Sequence, residues 1–92
     1  MSNEEQHAVI GRAVMEYGEQ KRKLAALQAK AGEYGQILRA VAAQLAEGKL
    51  NLEQAQRMPG SLEVTALYGE IRDTKDRIEA LASTLRDVGI TL

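Results

Sequence analysis

Cysteine, phenylalanine and tryptophan are absent from this 92-residue chain; proline and histidine each occur once. Lack of cysteine excludes a disulfide framework and any thiolate metal site, and it fits a reducing, cytoplasmic setting. Without Phe or Trp, the apolar content is mostly Ala, Leu, Val and Ile, which suits thin interfaces between helices better than a thick globular core. The lone histidine, His7, sits near the start of the chain, where a fraying terminus cannot hold a catalytic base in register. No spacing of His or acidic residues points to a metal, and no glycine precedes a Lys-Ser or Lys-Thr pair as a phosphate loop requires. No cofactor is expected, and the chain is not expected to be an enzyme. Long apolar runs are missing too, so no membrane partner is expected. The polar, acidic opening MSNEEQHAVI does not read as a signal peptide.

What is present is a repeat. Ile10, Ala13, Tyr17, Gln20, Leu24, Leu27, Ala31, Tyr34, Leu38, Val41 and Leu45 are separated by steps of three and four in strict alternation. That is the heptad seam of a coiled coil, with Ile10 at position a and Ala13 at d. Val9, Val14, Ile37 and Ala42 widen the stripe. Ser2 and Glu5 form a capping box at its start, and Gly48 stops it. A second seam runs Val64, Leu67, Ile71, Thr74, Ile78, Leu81, Leu85, Val88, opened by a Ser61 cap and closed by Gly89. Between them, Asn51 caps a short helix through Arg57 with Leu52 and Ala55 facing inward, and "MPG" makes a turn.

The expected fold is all-α: one domain over residues 1–92, an antiparallel, coiled-coil-like helical hairpin. Its parts are a long helix at about 3–47, a connector with a short helix at about 48–60, and a second long helix at about 62–88. A short connection between long helices makes them antiparallel neighbours. The helices differ in length, about 67 Å against about 40 Å. Paired from the turn, the second covers the first only back to around residue 20. The segment bearing Val9, Ile10, Ala13, Val14 and Tyr17 is then left with an apolar stripe and no internal partner. The simplest partner is another copy, giving a homodimer or higher homo-oligomer assembled as a helical bundle. The competing arrangement breaks the first helix near Gly18 or Gly32 and folds its start back.

Glycines and charges add to this. Gly11, Gly18 and Gly32 share heptad position b, with Ala25 between them, so small residues line a second face of the first helix. With the overhang residues, Gly11 and Gly18 complete the expected partner interface. Every tyrosine, Tyr17, Tyr34 and Tyr68, is followed by glycine. The favoured reading packs each ring against a helix, the glycine making room for the opposing helix. Residues 1–20 carry four acids against one base, residues 21–40 five bases against one acid, and residues 61–92 six acids against four bases. The basic middle is expected to pair with the acidic last helix. Lys21, Arg22, Lys23 and Lys30 form the candidate anion-binding cluster.

Two functions follow. The leading one is a non-catalytic protein–protein interaction module, an adaptor, chaperone-like binder or inhibitor of another protein, acting through exposed helix faces. The other is a nucleic-acid or nucleotide binder that combines residues 21–23 with Tyr17 or Tyr34 as a stacking platform.

Overall fold

The computed structural model describes residues 3–92 and contains three helices among them: α1 (Asn3–Glu47), α2 (Leu52–Gln56) and α3 (Ser61–Asp87). α1 is continuous through Gly11, Gly18, Gly32 and Gly35, so the chain does not break where the glycines allowed it. The capping box proposed for Ser2 and Glu5 lies partly outside the described residues. The molecule measures 68 × 20 × 15 Å, and its long axis is α1 itself.

Both long helices end in the same way. Gly48 takes φ 71° and Gly89 φ 85°, a left-handed conformation that costs a residue with a Cβ about 1–2 kcal/mol. At the first end the Gly48 amide donates to the Leu45 carbonyl and the Lys49 amide to the Gln44 carbonyl, at 3.1 and 2.9 Å. At the second, the Gly89 and Ile90 amides donate to Arg86 and Leu85, at 3.0 and 2.9 Å. These paired bonds are the Schellman arrangement, which satisfies the last carbonyls of a helix. At the start of α3 the cap position belongs to Gly60, not Ser61, and no side chain caps it. Ser61 instead sits in the first turn, its carbonyl accepting from the Thr65 hydroxyl at 2.7 Å.

α1 and α3 pack as an antiparallel hairpin. Near the turn, Ala31, Tyr34 and Leu38 meet Val64, Leu67 and Ile71; at the far end, Glu16 meets Arg77. The seams form the interface. On α3, Leu67, Thr74, Leu81 and Leu85 are buried and Ile71 and Ile78 half-buried; Leu85 has no exposed surface. On α1, Val41 is buried, and the seam from Ile10 through Tyr34 is half-buried throughout. Period and register are therefore as the sequence predicts.

The length arithmetic is not. Pairing does not stop near residue 20, because Arg77 reaches Glu16 and ten further residues of α3 lie beyond it. The cause is the connector. It folds back along α1, so α3 starts opposite the region around Leu38 instead of opposite the end of α1. Gln44 holds it there: its amide donates to the Gln54 side chain, and its Oε1 accepts from the Asn51 backbone at 2.9 Å. Asn51 caps α2 as expected, accepting from the Gln54 amide at 3.1 Å. Pro59 is buried where the chain turns into α3. Leu52, expected to face inward, is 68% exposed, since α2 rests on α1 through its polar Gln54 side.

Candidate interaction surfaces

The overhang residues occupy two environments. Ile10, Ala13, Tyr17 and Gly18 are half-buried, while Val9, Gly11 and Val14 are exposed, as is Met15 beside them. The exposed apolar stripe of α1 is thus narrower than expected and lies on its flanks, because α3 shelters the seam itself.

The sequence reading missed a larger surface. Ala31, Tyr34, Gly35 and Leu38 of α1 and Val64, Leu67, Tyr68 and Ile71 of α3 line an open groove of about 280 Å³. Every lining side chain is apolar or aromatic. Two long helices can close a seam on one line only; another is needed to roof the valley beside it, and among the described residues α2 does not reach it. Around the turn, Leu45, Leu50, Leu52, Met58 and Leu62 extend the exposed apolar surface. Part of the signal was in the sequence: heptad position e beside the seam is polar at Lys21 and Gln28 but small at Gly35 and Ala42, so the stripe widens toward the turn.

The tyrosines are not equivalent. Tyr34 and Tyr68 line the same groove from opposite helices, and Tyr17 stands apart from them. Each ring carries a cation from its own helix: Lys21 over Tyr17 at 5.5 Å, Lys30 over Tyr34 at 5.7 Å and Arg72 over Tyr68 at 5.9 Å. These are helical neighbours four residues apart, within the range of cation–π attraction. The following glycines do not make room for an opposing helix. A Cβ on Gly18 would meet only Arg22 of its own helix at 3.5 Å, one on Gly35 only Arg39 at 3.5 Å, and one on Gly69 nothing. Cβ atoms on Gly11 and Gly32 would likewise stand in open space.

The charge pattern resolves differently from the expected pairing. Among the described residues, none of Lys21, Arg22, Lys23, Lys30 and Arg39 forms an ion pair with α3; the ion pair that joins the helices has the opposite polarity, Arg77 of α3 to Glu16 of α1. The structure does not gather Lys21, Arg22 and Lys23 into one patch, since consecutive helical residues project in different directions. All three are exposed; Lys30 lies apart beside Tyr34, in a shallow depression shared with Glu63 and Glu70 of α3, which is as near as the expected pairing comes. His7 is exposed as well, and among the described residues no three of His, Asp and Glu converge as a metal site requires. Among the described residues, no helix is long and apolar enough to cross a membrane.

These features define a class: an all-α antiparallel helical hairpin with a folded-back connector and an apolar groove left open along one side. Compared with protein-family models, curated proteins and solved structures, the chain matches none of them.

Proposed function

We propose that this protein is a non-catalytic interaction module, homo-oligomeric and cytoplasmic, whose exposed helix faces hold another protein as an adaptor, chaperone-like binder or inhibitor. One observation carries the reading. Among the described residues, thirteen large apolar or aromatic side chains are exposed against five buried core residues. Scattered apolar side chains are normal on any surface. Here eight of the thirteen, Leu38, Val64 and Tyr68 at the groove and Leu45, Leu50, Leu52, Met58 and Leu62 around the turn, gather at one end of the hairpin, and clustered apolar surface marks interaction sites.

Nucleic-acid binding is the weaker reading. Each tyrosine ring already has one face approached by a cation of the same helix, and the basic run is spread around α1.

Affinity capture from the native host tests the proposal. The wild type and the Lys21→Ala/Arg22→Ala/Lys23→Ala variant are expected to retain the same protein partner, and Val9→Asp/Val14→Asp, both exposed on α1, to lose it with the helical circular dichroism retained. Saturable oligonucleotide binding that weakens steeply with salt and vanishes in the triple variant, with no protein retained by the wild type, overturns it.

A further inference from the structure

Resting on the interaction-module reading above, we propose that the groove between α1 and α3 receives an amphipathic helix of a partner protein, its apolar stripe bordered by Asp or Glu on both sides, in a three-helix bundle.

Charge selects the acidic borders. Gly35 and Tyr68 line the groove from opposite helices. The positions three, four and seven residues either side of each share that flank of the hairpin. Those twelve positions hold Arg39, Arg72 and Lys75 and no acid, in a chain with 13 acids against 12 bases. All three cations are exposed. Arg39 stands on the α1 rim, its Nη1 3.5 Å from where a Cβ of Gly35 would lie. Arg72 stands on the α3 rim over Tyr68, and its ion pair is an exposed contact of 3.5 Å with Asp73. Among the described residues, Arg39 and Lys75 form no ion pair. The other flank of the same seam is mixed: Lys30 shares its depression with Glu63 and Glu70, and Glu16 pairs with Arg77. The uncompensated cations thus lie on the side of the apolar groove.

Shape selects a helix. Both walls of the groove are helices, whose backbone groups are bonded internally, so no sheet edge is offered to a strand. A helix brings its own backbone bonds and needs only a place for its apolar stripe. From Ala31 to Leu38 the groove runs about 10 Å, two helical turns. A helix lying along it sets one edge of its stripe beside Arg39 and the other beside Arg72 and Lys75. Opposite charge on both edges fixes which helix docks there. Two copies meeting isologously over the groove would set these cations against the same cations, so the occupant is a different chain.

The probe is a pair of fluorescein-labelled synthetic helices of about three heptads with Leu at a and d, one bordered by Glu at e and g, the other by Lys. The wild type is expected to bind the Glu helix at least about tenfold more tightly than the Lys helix, and less tightly as salt rises. Arg39→Glu/Arg72→Glu/Lys75→Glu should reverse the preference, a result that an unfolded variant cannot give. Arg22→Glu/Lys23→Glu, on other faces of α1, should leave it unchanged. Tyr68→Glu should weaken binding of the Glu helix with the helical circular dichroism retained. Equal binding of the two helices, or a preference that survives the triple reversal, overturns the proposal. So does equally tight binding of a Glu helix with Ala at a and d, since charge alone would then hold it, as it would a polynucleotide. A wild-type dimer that Tyr68→Glu turns to monomer and the Glu helix leaves intact overturns it too, in favour of a second copy. Partner capture through Val9 and Val14 is read separately, so failure of this occupant is distinguishable from failure of the interaction reading.

Discussion

Arg77 of α3 grips Glu16 of α1 with two bonds, Nε to Oε1 at 2.7 Å and Nη2 to Oε2 at 2.8 Å. The geometry is the planar fork-to-fork pair that arginine makes with carboxylates. Hydrogen bonding from Arg77, aided by its charge and opposed by partial desolvation, holds the Glu16 carboxyl below its ordinary value of 4.5; Glu16 raises Arg77 in turn. A depressed carboxylate stabilises the fold fully above its unfolded pKa and loses that contribution as pH falls through the folded one. Wild-type thermal stability is therefore expected to decline below about pH 4.5, and Glu16→Gln to flatten that decline. Both side chains are partly solvated, so the loss at neutral pH should be small and salt-sensitive. The sharper measurement is a charge swap: Glu16→Arg and Arg77→Glu each lower Tm, and together they restore it.

Among the described residues, Leu85 is the one large side chain with no exposed surface, although it lies near the end of α3. Its carbonyl accepts from the Ile90 amide in the terminal Schellman turn, and Ile90 is itself half-buried. Leu85→Ala is expected to cost about 2–5 kcal/mol in chemical denaturation. Val88→Ala, at a seam position that is 51% exposed, should cost much less. Equal losses would show that the end of α3 is not anchored through Leu85.

The helices and their register were legible because they depend on local chemistry. Heptad spacing, Gly48, Gly89 and the Asn51 cap each act within a few residues, and the structure has them where the sequence puts them. Gly60, extended at φ −79° and ψ 170°, takes the cap position of α3 in place of Ser61, directly after the buried Pro59. The surfaces were less legible, because they depend on how far α3 slides along α1. The connector from which α3 departs is held by Gln44 bonding to Asn51 and Gln54, a tertiary contact with no periodic signature. Once the connector folds back, Ile10 and Tyr17 gain shelter and the open groove moves to Tyr34 and Tyr68.

Two glycines are predicted to respond oppositely to alanine. Gly69 lies inside α3, and a Cβ there meets nothing within 4 Å. Gly69→Ala should stabilise by about 1 kcal/mol, since alanine restricts the unfolded chain and favours helix. Gly48 has φ 71° and ends α1. Gly48→Ala should destabilise by about 1–2 kcal/mol despite equally open surroundings. For a domain of this size each kcal/mol moves Tm by roughly 4–8 °C, so circular dichroism melts resolve both signs.

Gln44 holds the connector through both ends of its amide, and that makes a local prediction. Its side chain bonds Gln54 and the Asn51 backbone, and the connector's two trypsin sites, Lys49 and Arg57, flank those partners. Gln44→Ala removes both bonds without touching the seam between α1 and α3. A net worth of about 1 kcal/mol for each bond raises the local opening equilibrium by roughly 5–30-fold. Limited trypsin digestion should therefore speed up by that order at Lys49 and Arg57. Cleavage after Lys23 and Lys30, inside α1, should stay slow, because opening there requires unfolding the helix. Uniform acceleration at all four sites would mean that Gln44 supports the whole hairpin, and an unchanged rate would mean that the connector is held by Pro59 and the packing of Val41 instead.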